Sequence, residues 1–411
     1  MSLRGVEIIE GKIGANTATD GREFALVAGG VAVADKLTVG EIYELKRPSD
    51  AVAIGIDSNY DTTNACRVYR HISEFYRISG EGKPLIVCVV ALGTTPVDMV
   101  AKAKELILDR DIISDIAFAY NPAANYVSTL LNGMDSNVYA GIKALNDLAI
   151  WADVNDRPVH TILECRGLGD TVSSAADLRS LTLESVDYSA EKVTLVCGQD
   201  WKYADGLDTI GKKFADVGTF LGCVAAQAWN HNPGEVATMG LTNTDKEKWL
   251  IGGLSNHKKY TEVYADLETL DGKGYVFPIK YTGMAGYFWN NGHTCAPIII
   301  DDEGNMNQHT IYYSHTFNMS KRALRIAFLP EVKKVQELEG GKPGNSLVAY
   351  YNEVGDSAFE TLKNKGFISK GSTNTSADSD LLVAKQLDVE FGVVPTGCVD
   401  VIKGTLNLKN S

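Results

Sequence analysis

Pro84-Leu85-Ile86-Val87-Cys88-Val89-Val90 is an unbroken apolar run of strand length. A strand with one solvated face alternates apolar and polar side chains, so a continuous run belongs to a strand covered on both faces. Directly upstream, Val68, Ile72, Phe75 and Ile78 recur at helical spacing, and Gly80 to Gly82 stops that helix. A helix followed by a doubly covered strand is the start of an α/β layer.

The alternation continues downstream. The spacing predicts a helix over 97–108, a strand over 112–119, and a helix carrying Val138, Ile142, Leu145, Ala149 and Ala152. Next come a strand over 159–165, a short helix around 175–181, a strand over 192–198 and a helix from about 211 to 229. Strands separated by helices of this length require crossover connections and a largely parallel or mixed sheet. Upstream lie a strand over 24–33 and a helix beginning near Pro48. Residues 21–270 are therefore predicted to form an α/β sandwich.

Outside that span the character changes. Gly5-Val6-Glu7-Ile8-Ile9-Glu10-Gly11 is a strand-length piece between glycines, so residues 1–20 read as a detachable arm centred on Val6, Ile8 and Ile9. After Gly272, residues 275–281 are strand-like and residues 282–292 form an aromatic, Gly- and Asn-rich loop. A helix is predicted over 316–329, ended by Pro330, with Lys321, Arg322 and Arg325 on its outer face. Residues 366–380 are rich in Ser, Thr, Asn and Lys and read as an exposed loop. The C-terminal stretch returns to strand character: Val389, Phe391 and Val393 alternate, Pro395-Thr396-Gly397 makes a turn, and Val399-Asp400-Val401-Ile402 follows. The expected architecture is a multidomain α/β sandwich with mixed sheets, a C-terminal α+β domain over 271–411, and extended β-strand arms at both ends, the second over about 387–411.

With 411 residues and 45% hydrophobic content the chain can build two or three cores. Its net charge of −13 opposes binding to nucleic acid, which needs a Lys/Arg surface able to displace counterions. The first ten residues lack the apolar core of a secretory signal, and no apolar run reaches the ~18 residues of a membrane span. Synthesis ending in the cytoplasm is the expectation. Seven dispersed cysteines without CxxC spacing read as reduced core residues.

The motifs that could carry chemistry are incomplete. Gly167-Leu168-Gly169-Asp170 sits where a dinucleotide loop belongs, but Val172 replaces its third glycine. The acidic run 301–307 has Gly304 too early, and Tyr312 where a calcium loop needs a closing Glu. No two histidines are spaced as HExxH, and the neighbours His293, Cys295 and Asp301 are close in sequence only. No catalytic, cofactor or metal residue is assigned, and the chain reads as a non-enzyme.

Three features resemble the phage tail sheath family. Residues 64–90, reading Asn-Ala-Cys-Arg-Val-Tyr-Arg-His-Ile-Ser-Glu-Phe-Tyr-Arg-Ile-Ser-Gly-Glu-Gly-Lys-Pro-Leu-Ile-Val-Cys-Val-Val, look like its early helix–strand unit. Gly286-Tyr287-Phe288-Trp289-Asn290-Asn291-Gly292-His293-Thr294 resembles the aromatic, Asn-rich segment that enters its C-terminal domain. Residues 318–330 look like the basic helix that follows. Many members carry large peripheral insertions that this chain lacks. The resemblance implies a structural subunit of a contractile tail or injection particle, assembled in a bacterial host's cytoplasm, with no cofactor and no membrane insertion. Implied partners are other copies in a helical homopolymer, an inner tube protein, and baseplate and terminator proteins. Terminal strands would be lent to neighbouring subunits, the candidates being Val6, Ile8, Ile9, Val389, Phe391, Val393, Val399 and Val401. Lys321, Arg322 and Arg325 would face an acidic tube, or would be solvated while their helix packs its own domain. The rival readings are an α/β enzyme binding a nucleotide or sugar, and a non-contractile tail or baseplate adaptor.

Overall fold

Successive side chains of a strand point to opposite faces, and residues 85–90 use both faces for burial. In the computed structural model, which describes residues 21–183 and 185–409, Ile86, Cys88 and Val90 enter one core while Leu85, Val87 and Val89 enter another. They belong to a six-stranded sheet built from β1 (Glu23–Gly30), β2 (Ile42–Leu45), β3 (Leu85–Ala91), β4 (Ile113–Ala119), β5 (His160–Glu164) and β6 (Val193–Val196). The spatial order is β6-β5-β4-β1-β3-β2, parallel throughout except for β2, which runs antiparallel to β3 at one edge. The fold is thus α/β with a mixed sheet, as the alternating pattern implies.

Helices cover both faces. On one lie α1 (Pro48–Ala53), α2 (Ser58–Asn64), α3 (Val68–Ser79) and, later in the chain, α7 (Val217–Ala226). On the other lie α4 (Pro96–Asp109) and α5 (Ser136–Val154), supplying Met99, Ala103, Ile142 and Leu145 to that core. Each fully buried Leu, Ile or Phe here contributes roughly 1.5–3 kcal/mol. Starts are set locally: Thr95 caps α4 with Pro96 in its first turn, Asp135 caps α5, and Asp200 caps α6 (Trp201–Asp205).

α7 approaches α3 so closely that glycines are required at Gly218 and Gly222. A Cβ on Gly218 would overlap the main chain of His71, and one on Gly222 would lie 2.9 Å from the Phe75 carbonyl oxygen. Gly218→Ala is expected to lower stability by about 3 kcal/mol through forced separation of the two helices. Gly272→Ala, where an added Cβ meets nothing within 4 Å, should be neutral. Comparing denaturation midpoints of the two variants checks this, and equal midpoints would refute it.

The expected domain boundary near 270 does not mark a change of core. After α8 (Leu267–Gly272), Val276 donates its amide to Leu195 and accepts from Cys197, and the Cys295 amide bonds to Val193. This segment extends the β6 edge, so Tyr275, Phe277 and Cys295 join one core while Val276, Trp289 and Ile311 join the other. The second unit starts within α9 (Ile311–Phe328) and continues through α10 (Asn345–Asn364), β7 (Ile368–Thr375) and β8 (Val389–Pro395). Its own core holds Met319, Ala323, Leu324, Phe359, Leu362 and Ile368, with Trp229 from the loop after α7.

Other local readings shift for identifiable reasons. The helix expected at 316–329 starts at Ile311, because the preceding loop is pinned by the Ile311 amide on Gly292. The helix expected over 175–181 is a single turn at Val172–Ser174, followed by a strand at Leu181–Leu183. The polar stretch expected to be a loop at 366–380 contains β7, whose mostly exposed face accounts for its Ser, Thr, Asn and Lys content.

Candidate assembly surface

α9 is the structural link between the two units, and its faces divide by chemistry. Met319, Ala323, Leu324 and the half-buried Phe328 point into the C-terminal core. Ser314, His315, Asn318, Lys321, Arg322 and Arg325 recur at three- and four-residue spacing and face the α/β body with polar contacts. His315 donates from Nε2 to Asp115 Oδ1 at 2.6 Å, and its Nδ1 lies 3.2 Å from the Trp229 carbonyl. His160 bridges Ser314 Oγ at 3.0 Å and Thr194 Oγ1 at 2.9 Å. Lys192 donates to Asn318 Oδ1 at 2.7 Å and Gln308 Oε1 at 2.6 Å.

Charge in this seam is tuned by burial against partners. Burial works to raise the Asp115 carboxyl, but His315 outweighs it and holds Asp115 below the ordinary range. Burial drives the His160 imidazole well below its usual value and the Lys192 ammonium down to about 8.

The three basic residues of α9 are all engaged by their own chain. Lys321 Nζ meets Asp153 Oδ2 at 2.5 Å, and Arg325 meets Asp156 Oδ2 at 2.7 Å. Arg322 donates to the carbonyls of Asp111, Ile113 and Pro158 at 2.7 to 2.8 Å, and burial lowers its pKa to about 10. The outward, free arrangement expected for Arg322 is therefore corrected: strand-end carbonyls from two segments converge on its guanidinium. Helical periodicity alone could not show them.

Beyond α9, β7 and β8 form a two-stranded antiparallel ribbon pairing Thr375 with Val389, Thr373 with Phe391 and Gly371 with Val393. Phe391 contacts Phe328 and Phe359 at centroid distances of 5.4 and 6.3 Å. Val389, Phe391 and Val393, expected in a strand lent to a neighbour, are thus paired along one edge within their own chain. Among the described residues neither strand has a second neighbour, so both outer edges present unpaired backbone groups.

The expected hairpin at Pro395-Thr396-Gly397 does not form, and residues 396–409 pair with no described strand. They leave the body with Val399 and Val401 69–75% exposed and Leu406 and Leu408 almost wholly so. The start of this segment is held by asparagines. Asn230 Nδ2 donates to Thr396 Oγ1 at 2.8 Å, Asn232 Nδ2 contacts Cys398 Sγ at 3.8 Å, and Asn291 Nδ2 donates to Asp400 Oδ2 at 3.1 Å. Asn290 and Asn291 belong to the Asn-rich loop singled out in the sequence, whereas nothing local marked Asn230 and Asn232. Val6, Ile8, Ile9 and the arm 1–20 lie outside the described residues.

The stretches with possible ligand chemistry are occupied by the chain itself. The amides of Gly167, Leu168 and Gly169 donate to Lys213 O, Ser255 Oγ and Gly133 O, leaving none directed at a phosphate. At the ends of β1 and β4, where a doubly wound sheet reverses direction and takes its ligands, Asn121 donates to Gly29 O and accepts from the Arg67 amide. Tyr60 bonds both the amide and the carbonyl of Val31 alongside. His293 contacts Asp271 and Arg179, Cys295 is buried, and Asp301 folds an exposed turn by accepting from the Glu303 and Asn305 amides. Burial pushes the Cys295 thiol to about 12, far from a reactive thiolate.

Over its full length the fold is similar to a chain in "Cryo-EM structure of the anti-feeding prophage (AFP) baseplate, 6-fold symmetrised", with a TM-score of 0.59, 12% identity, and coverage of 100% of this chain and 99% of that one. A sheath tail protein from Desulfitobacterium hafniense aligns over 96% of this chain and 100% of its own, with 10% identity and a TM-score of 0.47. No curated protein matches the chain in sequence. Residues 5–293 match the family described as DUF2586, N-terminal domain. That match spans more than half of the 411 residues, and the chain belongs to this family.

Proposed function

We propose that the chain is a structural subunit of a contractile tail sheath, polymerising helically around an inner tube through exchanged terminal strands. The observation that carries this reading is the exposed, apolar segment 396–409, which pairs with no described strand, beside a ribbon whose two outer edges are open among the described residues. An arm of one copy that pairs with an open edge of another satisfies both sets of backbone groups, which is β-augmentation. Repeated head to tail, such a contact does not close on itself and builds a filament. The fold shared with the prophage baseplate chain supports membership in a tail-like particle, and the self-occupied glycine loop and strand ends disfavour the nucleotide- or sugar-binding enzyme.

In this reading the arms 1–20 and 396–411 tether neighbours while whole subunits rotate and slide, driving the tube through a target envelope. Partners are other copies, the tube protein, and baseplate and terminator proteins, in a virion tail or injection particle assembled in a bacterial cytoplasm. Contact with the tube narrows to Lys321 and Arg325. Their pairs with Asp153 and Asp156 are a quarter to a half exposed and worth at most about 1 kcal/mol each, so an acidic partner can displace them.

A second reading, a baseplate adaptor that forms rings without extending, draws support from the six-fold baseplate in which the similar chain sits. Negative-stain microscopy of the purified protein separates the two. Sheath subunits are expected to give striated tubes that sediment rapidly, and deleting residues 1–14 should remove them without unfolding the body. Isolated rings would favour the adaptor, and a small closed oligomer unaffected by the deletion would refute both.

A further inference from the structure

We propose that Asn230, Asn232 and Asn291 form an exit clamp that fixes the direction and facing of the C-terminal arm, and so selects which neighbour the arm reaches. The inference rests on the arm-exchange reading above and adds to it the residues that aim the arm.

The geometry follows from strand periodicity. In extended backbone, alternate residues share a side, and the three residues held are Thr396, Cys398 and Asp400. Val399 and Val401 fall on the opposite side and face solvent, 75% and 69% exposed. A slip of one residue would turn these valines inward and present Cys398 and Asp400 instead, exchanging the apolar face for a polar one. The clamp therefore sets facing as well as direction.

The clamp residues are themselves braced. Asn232 Nδ2 donates to Asn291 Oδ1 at 2.8 Å, Asn232 Oδ1 accepts from the Gly234 amide at 2.9 Å, and Asn291 Oδ1 also accepts from the Gly292 amide at 2.8 Å. Asn230 Nδ2 additionally ties the Gly366 carbonyl before β7 at 2.9 Å. A cavity of about 620 Å³ lies between the 396–400 segment and Tyr281, Asn290 and Glu235. Close apolar packing is thus not what orients the segment, and the orientation depends on these few hydrogen bonds. Beyond Asp400, residues 401–409 can reach about 30 Å at roughly 3.3 Å per residue. Freed at its root, that reach would sweep a wide arc, diluting the arm at its docking edge by the effective-concentration argument.

The test uses full-length protein with a spin label on K403C in a C398S background, the other cysteines being buried. Asn291→Asp keeps both acceptor contacts of Oδ1 but replaces the donor to Asp400 with a repelling carboxylate. Asn232→Ala, at a half-buried position, removes a second contact. Either variant is expected to free the label in monomers and raise the concentration needed for polymerisation about tenfold. Adding D400N to N291D should restore both readouts, because an amide again faces an acceptor. Unchanged label mobility, or a freed label with an unchanged polymerisation threshold, would overturn the clamp. A chain lacking residues 396–411 serves as reference: if it polymerises normally, the arm-exchange reading fails, and the label still reports separately on the clamp.

Discussion

Replacing Arg70 with alanine is expected to lower the stability of the α/β body by about 3–5 kcal/mol. Arg70, on α3, is completely enclosed and donates from Nε to Asp216 Oδ1 at 2.9 Å and from one terminal nitrogen to Asp216 Oδ2 at 3.2 Å and Asp200 Oδ2 at 3.4 Å. Its other terminal nitrogen lies 3.7 Å from Glu74 Oε1, and the guanidinium sits 4.2 Å from the centre of the Tyr203 ring. Removing this one cation strands two buried carboxylates, Asp216 and Asp200, and takes one of two cations from Glu74. Arg77 still reaches Glu74 at 2.7 Å, but no other arginine or lysine forms an ion pair with Asp216 or Asp200 among the described residues.

The sign of the pH dependence follows from Glu74. Burial works to raise its carboxyl, but Arg70 and then Arg77 outweigh it and hold the pKa at about 2, below an ordinary 4.5. A carboxyl depressed by folding adds stability above its unfolded value, and that contribution is lost as pH falls toward the folded value. Wild type should therefore weaken between about pH 4.5 and 2. In R70A the deficit should be largest near neutral pH and shrink toward roughly pH 5, as the stranded carboxylates take up protons. Chemical denaturation followed by tryptophan fluorescence reads this directly, since Trp249 Nε1 donates to Glu74 at 3.2 Å. R70M, which keeps length without charge, should match R70A. A deficit below about 1 kcal/mol, or one that grows on acidification, would show that the network is not held by charge.

Truncation after Pro395 should have the opposite profile: a large loss of assembly with little loss of stability. β8 ends at Pro395 and keeps its ladder with β7, while the removed Val401, Ile402, Leu406 and Leu408 are at least two-thirds exposed. Each of these apolar side chains, buried in a neighbour, would contribute roughly 1.5–3 kcal/mol. Losing four of them should raise the concentration needed to polymerise by more than about 100-fold, since each 1.4 kcal/mol is a factor of ten. Sedimentation of the truncated chain across a concentration series, with its denaturation midpoint alongside, checks the expectation. Polymers at the wild-type threshold would remove the arm from the assembly.

The α/β layer was legible because its information is local. Runs such as 85–90 announce burial on two faces, and periodic helices between them force crossovers. The bridging segment was not legible in the same way. Residues 275–295 look like a new domain by composition, yet they close the β6 edge because the carbonyls of Val193 and Leu195 accept from the Cys295 and Val276 amides and the Cys197 amide donates to the Val276 carbonyl. β7 read as a loop because a strand exposed on most of one face needs no apolar side chains there, and its pairing with β8 is set by contacts 14 or more residues away in the chain. The basic stripe of α9 was visible as charge, but not the carbonyls and carboxylates that receive it.

The amino-acid sequence by itself determined the sheet, its covering helices, six of the seven cysteines as core residues, Cys398 alone being exposed, and the strand-like, apolar character of the C-terminal end, because each depends on the order of neighbours along the chain. Only the tertiary structure decided where the two units divide, that β8 pairs at home while residues 396–409 do not, and that asparagines from two distant loops hold the root of that segment. Those outcomes depend on which backbone groups are left without partners once the sheet has formed, a property of the assembled fold.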